Sequence, residues 1–200
     1  MNSLKKSLTI LTLLLVAFVS VAAVNIVSTP WTVDKSHSAV TFSVRHFFTP
    51  VNGKFNDYTA NITFAADDLK NSSIEVSIPI NTIDTDNEKR DGHLKTADFF
   101  DAEKYPTMSF KSSKIEATGD NKFVATGKLT LKDVTKDFKL PFTLLGVMEH
   151  PRNGSLIAGI TSEFVIKRND FGVGTGDYIS DAVIGSEVKV QLNLELNAKK

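Results

Sequence analysis

Apolar and polar residues alternate with a period of two along most of this chain. From about Ala39, Val40, Phe42 and Val44 share one side of an extended segment while Thr41, Ser43 and Arg45 take the other, and His46 ends the apolar side. The same period recurs at Tyr58, Ala60, Ile62 and Phe64, and again at Ile74, Val76, Ile78 and Ile80. It continues from Met108 through Phe110, along Phe123 to Leu131, and at Phe138, Leu140, Phe142 and Leu144. Ala158, Ile160, Ser162, Phe164 and Ile166 follow, with Arg168 on the same side, and Val188 to Leu196 is the cleanest alternation of all. Turn residues punctuate these runs: Pro50 with Gly53, Asp67 to Asn71, Gly119-Asp120-Asn121, Asp133 to Asp137, and Pro151 with Asn153-Gly154.

About eight strands at near-even spacing predict an all-β fold, an up-and-down antiparallel barrel that leaves no free sheet edge. A two-sheet sandwich is the alternative. Pro141 falls on the phase opposite to the inward Phe138, Leu140, Phe142 and Leu144, and as a proline is expected at an edge or a bulge. The inward sets mix Phe and Ile with Ala60, Ala125, Gly127 and Ala158. A barrel of this size can hold one small ligand when its inner side chains leave room, so a hollow is expected.

One stretch breaks the pattern. After Ile80 comes Thr85-x-x-Glu88, a capping-box signature, and then a short polar helical segment with Asp86, Asn87, Lys89 and Arg90. An apolar lip of Leu94, Phe99 and Phe100 follows, and Tyr105-Pro106 returns the chain to extended structure. Within a strand-rich protein this reads as a helical insertion covering one end of the barrel.

The opening residues differ in kind. Lys5 and Lys6 precede an uncharged apolar run from Leu8 to Val21, with small residues at Ser20, Ala22 and Ala23. Residues 1–23 are therefore expected to be a removed signal peptide, residues 24–200 the barrel domain, and the location periplasmic or secreted. A permanent membrane anchor is the alternative, because the apolar stretch extends nearly to Val27. The 200-residue chain contains no cysteine, which excludes disulfides and thiolate chemistry. Its 23 basic and 23 acidic residues balance, which argues against a general grip on nucleic acid.

Candidate chemistry is thin. Asp34, Ser36 and His37 carry the letters of a hydrolase triad but lie too close together in an extended segment to form one. His46 and His93 lack metal-ligand spacing, and the glycine-rich run Asn169 to Gly176 reads as a wide, flexible turn because no helix follows it. No catalytic residue, metal or cofactor is assigned. What remains is the interior. Enclosing roughly three isoprene units would contribute on the order of 10 kcal/mol before association costs, at about 0.8 kcal/mol per methylene.

The blocks WTVDKSHSAVTFSVRH, TIDTDNEKRDGHLKTADFFDAEKYPTMSF, GKLTLKDVTK and FVIKRNDFGVG resemble the YceI-like family of exported bacterial proteins, over nearly all of the chain after the leader. The resemblance implies a lipocalin-like barrel, capped by the helical insertion, that holds a polyisoprenoid, quinone or other fatty amphiphile and has no established enzymatic activity. It carries the family's motif onto His37, His46, Asp84, Arg90, Asp91, His93, Leu94, Phe99, Phe100 and Arg168. From the alternation, Phe42, Val44, Ile78, Met108, Phe110, Phe142 and Phe164 are expected to line an apolar tunnel. His46, Arg90, His93, Leu94, Phe99, Phe100 and Arg168 are expected at its mouth. An isoprenoid-type lipid is the expected ligand, exchanged by transient membrane contact. A partly apolar rim also admits a homodimer. Two other readings stay open: a secreted enzyme acting on such lipids with His46 or His93 as base, and an interaction module with a packed interior.

Overall fold

The structure, a computed structural model, describes residues 28–199. The expected signal peptide lies outside the described residues. Ten strands follow in order: β1 (Thr29–His46), β2 (Thr49–Phe55), β3 (Thr59–Phe64), β4 (Ser73–Pro79), β5 (Ile83–Asp84), β6 (Thr107–Gly119), β7 (Lys122–Leu131), β8 (Val134–Glu149), β9 (Leu156–Lys167) and β10 (Ile184–Ala198). The single α-helix among the described residues is α1 (Glu88–Leu94), and none of their helices is long and apolar enough to cross a membrane. Strand order is β10-β9-β8-β7-β6-β4-β3-β1-β2-β5, and β1 also pairs with β10. Because β2 and β3 share one place in the wall, and β4 and β5 another, the result is a closed eight-stranded antiparallel barrel. The lipocalin-like expectation holds, and the sandwich does not.

β1 begins earlier than its alternation indicates, at Thr29 rather than near Ala39. A bulge hides the start. Asp34 opposes Glu195 and Ala39 opposes Asn193, so Lys35 to Ser38 stand against Leu194 alone. The extra residues are tied down locally. Asp34 Oδ1 accepts from the Ser36 amide at 2.9 Å, and Ser38 Oγ accepts from the Glu195 amide at 2.9 Å. His37 Nδ1 lies 3.1 Å from Asp34 Oδ2 and 3.5 Å from Glu195 Oε1, in an exposed ion-paired cluster on the outer surface.

The expected turn at Pro50 and Gly53 lies elsewhere. His46 opposes Thr49, so Phe47-Phe48 is a two-residue hairpin loop, and Pro50 and Gly53 sit inside β2 opposite Arg45 and Phe42. Gly53 is needed there because a Cβ would collide with the Phe42 ring. Phe47 has φ 51°, a left-handed conformation that costs a non-glycine residue roughly 1–2 kcal/mol.

The barrel is filled at one end and hollow at the other. Phe64, Phe123 and Phe142 meet with ring centroids 5.1 to 5.4 Å apart, and all three are buried. Trp31 joins this plug by donating from Nε1 to the Phe64 carbonyl at 2.9 Å. A bulge in β6 between Ser112 and Lys114 shifts the phase so that Ile115 also turns inward. β7 comes so close here that a Cβ on Gly127 would meet the Lys111 carbonyl and sit 2.7 Å from Ser112 Cα.

One seam is only half zipped. β8 and β9 pair from Thr143–Thr161 to Glu149–Leu156, and beyond Thr143, toward the α1 end, their register lapses. Pro141 sits at the lapse, where β8 keeps its β7 partner Val124. A residue without an amide hydrogen is tolerated there, because no β9 partner needs one. Side chains bridge the gap instead: the Ser162 hydroxyl donates to the Pro141 carbonyl, Phe138 packs on Phe164 at 5.3 Å, and just past β9 Lys136 reaches Asp170 at 3.5 Å.

Two outcomes follow. Gly127→Ala should destabilise the fold by about 1–3 kcal/mol, read from the denaturation midpoint, because backbone rather than a flexible side chain blocks the new methyl. The His37 cluster should act within a pH window. Its hydrogen bond to Asp34, then the Asp34 and Glu195 charges, raise the imidazole above 6.5; that contribution is full below 6.5 and fades as pH rises through the raised value. The hydrogen bond from His37, then that from the Ser36 amide, lower the Asp34 carboxyl below 3.8, and its share is lost only as pH falls through the lowered value. Melting temperatures of His37→Gln should therefore fall furthest below the parent between 3.8 and 6.5, with the gap closing on the alkaline side. A gap independent of pH would contradict the ion-pair account.

Candidate functional site: an apolar cavity with a polar rim

The inward faces enclose a cavity of about 880 Å³, at the upper end of the range that holds small ligands, roughly 300–1,000 Å³. Its wall is built from alternate residues of nearly every strand, including Val40, Phe42 and Val44 on β1, Val76 and Ile78 on β4, and Val188 to Leu194 on β10. Phe64 and Phe142 form its floor, with Phe123 behind them. The space is thus closed at that end rather than open through the barrel. All seven residues expected along the tunnel line it: Phe42, Val44, Ile78, Met108, Phe110, Phe142 and Phe164. Phe110 and Phe142 are buried, and the other five keep partial exposure to the hollow.

At the other end, α1 and the segment after it cover the opening. The local cause differs from the capping box expected at Thr85. Asn87 is the N-cap, its Oδ1 accepting from the Arg90 amide at 2.9 Å. Thr85 is instead buried beneath the helix, where its hydroxyl and amide reach Asp91 Oδ1 at 2.5 and 3.0 Å. Arg90 closes the same knot by donating from Nε to Thr85 Oγ1 at 2.7 Å and from Nη2 to the Thr85 carbonyl at 2.5 Å.

All seven expected mouth residues, His46, Arg90, His93, Leu94, Phe99, Phe100 and Arg168, also line the cavity, but their polar groups differ in what they have left to offer. Arg168 is 4% exposed and donates to the carbonyls of Gly185 at 2.9 Å, Val173 at 2.8 Å and Ile184 at 2.7 Å. Burial lowers its pKa, and the Asp181 charge partly offsets that. Arg168 therefore ties β9 to β10 and to the segment after it, and that segment is not the loose turn its glycines imply. It contains short 3-10 turns at Arg168–Phe171 and Gly176–Tyr178, and Gly174 lies so near the guanidinium that a Cβ would collide with it.

His93 Nε2 lies 2.9 Å from Asp98 Oδ2, with its ring edge-on to Phe99 and Tyr178 at 5.1 and 5.0 Å. His46 is exposed and packs edge-on against Phe47 at 4.6 Å. Sequence reading missed Asn87 and Lys89, both exposed at the mouth, and Tyr178, which leans over it. The first two sit in a helix too short to show a face, and Tyr178 sits in a loop with no period. Chemically, the site offers a long, mostly apolar wall that includes the buried Tyr58 and Ser162, the latter's hydroxyl spent on the Pro141 carbonyl, and its charged and imidazole side chains stand at one end.

The sequence matches the YceI-like domain over residues 31–196. The protein YceI of Escherichia coli is 34% identical over 175 residues, covering 86% of this chain and 89% of its own. The crystal structure of Burkholderia cenocepacia BcnA superposes with a TM-score of 0.76 at 27% identity, covering 82% of this chain and 99% of that one. A polyisoprenoid binding domain from Saccharophagus degradans shares the fold, with a TM-score of 0.60 at 16% identity over 85% of this chain and 99% of its own. With the domain match running from the first strand to the last and the barrel geometry agreeing, this chain belongs to the YceI-like family.

Proposed function

We propose that this protein is an exported carrier that holds a long-chain isoprenoid, an isoprenoid quinone or a similar fatty amphiphile inside its barrel. The observation that carries the reading is the cavity: about 880 Å³ walled mostly by apolar side chains, with its charged and imidazole groups, His46, Lys89, Arg90, His93 and Arg168, gathered at one end. That distribution matches an amphiphile, whose tail gains about 0.8 kcal/mol per buried methylene while its head stays near water. The polyisoprenoid-binding domain that shares the fold supports the same class of ligand. Its tail lies against Phe42, Ile78, Met108 and Phe164 and stops at the Phe64 and Phe142 floor. Asn87, Lys89 and His46 meet its head, since Arg90 and Arg168 already donate within the protein. Binding is the activity, and no catalytic step is assigned to His46 or His93.

Protein purified from the cells that make it should release a lipid on solvent extraction, and native mass spectrometry should show a mass excess that disappears after extraction. Repeated preparations free of any amphiphile would remove the proposal. Met108→Trp should fill part of the hollow. Retained lipid should then fall at least about tenfold, while stability changes by less than roughly 1.5 kcal/mol because the new ring enters empty space. A loss of stability with lipid retained would mean instead that this part of the interior is packed.

A further inference from the structure

The most exposed large apolar side chain among those described is Phe48, at 96%, and it stands on the β1–β2 hairpin loop. Its loop partner Phe47 is 48% exposed, and Ile179 nearby is 59% exposed. These belong to one rim. The Phe47 amide donates to the Val183 carbonyl at 2.8 Å, which joins the hairpin tip to the segment carrying Ile179. Arg45 stiffens the join by donating to the Phe47 carbonyl at 2.5 Å and to the Asp181 carbonyl. The rim borders the opening of the cavity: His46 immediately precedes the tip, Tyr178 precedes Ile179, Ile184 begins β10, and all three line the mouth.

A two-residue hairpin loop favours Asn and Gly, because its backbone enters the left-handed region. Here two phenylalanines occupy it, with Phe47 at φ 51°. The tip thus keeps an unfavourable backbone and presents apolar rings to solvent, at the place where the ligand must pass. An amphiphile that prefers this cavity to water leaves another apolar phase to enter it. A bilayer is that phase, and aromatic side chains settle at its headgroup level. Lys89, exposed at the same mouth, adds a cation that suits anionic lipid heads.

We infer that the Phe47-Phe48 tip, with Ile179, is a membrane-docking element that seats the cavity mouth on a lipid bilayer during ligand exchange. The inference rests on the carrier reading for its purpose, although docking itself is measured separately. Phe48 buries almost nothing in the protein, so replacing it leaves the barrel intact. The chain from Val24 onward suits the test, because it contains every described strand and the β1–β10 pairing that closes the ring, and omits the apolar leader.

Phe48→Trp places a fluorophore at the tip, and the chain's single natural tryptophan, Trp31, is buried beside the plug at the far end. With vesicles of phosphatidylethanolamine and phosphatidylglycerol doped with brominated phosphatidylcholine, the new emission should shift to the blue and be quenched, while Trp31 in the parent protein is not. Phe48→Ser should slow transfer of a fluorescent prenyl chain from those vesicles by about tenfold, the order expected from losing one buried ring, with equilibrium loading from detergent micelles unchanged. Absence of quenching, or quenching with transfer at the parent rate, would overturn the inference. So would concentration-dependent dimerisation without vesicles that Phe48→Ser abolishes, since the tip would then serve a second copy. Quenching in a protein that takes up no prenyl chain from either source would sustain docking and refute the carrier reading.

Discussion

Everything in this fold depends on β1 being held along both of its edges. On one side it pairs with β10 from Thr32–Asn197 to His46–Ile184; on the other it meets β3 near its start and β2 near its end. A sheet of this composition with β1 and β10 unpaired would present two long edges and an apolar face to water. Closure removes both at once, so the interior need not be filled for the barrel to stand. The aromatic plug supplies dense packing at one end, and around the hollow the ladder carries the wall everywhere but the β8–β9 lapse.

That division of labour explains what the sequence made legible. Alternation is a local signal with a period of two, and it marked the inner face of nearly every strand, including the residues that line the cavity. The bulges were not legible, because the extra residues at Lys35 to Ser38 and near Ser113 are defined by a partner strand distant in sequence. The turn was misplaced for a similar reason. Pro50 and Gly53 are turn formers by local chemistry, but Gly53 was needed to clear the Phe42 ring across the ladder.

The mouth was legible by residue type but not by role. An arginine on an inward face reads as a free cation, and only the tertiary fold reveals that Arg168 faces three backbone carbonyls. Thr85 and Glu88 have the right spacing for a cap, yet Thr85 serves as the buried acceptor for Arg90 while Asn87 caps the helix. In both cases the polar group satisfies the protein before it meets any ligand, which is the general fate of buried polar groups.

The half-zipped seam between β8 and β9 has a mechanical consequence. Where the ladder lapses above Thr143, the two strands are coupled by the Ser162 hydroxyl on the Pro141 carbonyl and by the Phe138–Phe164 contact rather than by backbone ladder hydrogen bonds, with Lys136 reaching Asp170 just past β9. Spreading the wall there breaks no backbone ladder bond, only the Ser162 hydroxyl's bond to the Pro141 carbonyl and the Phe138–Phe164 contact, so side chains govern the girth of the chamber. A vessel with one compliant stave can change its bore while the hoop closed by β1 and β10 stays intact.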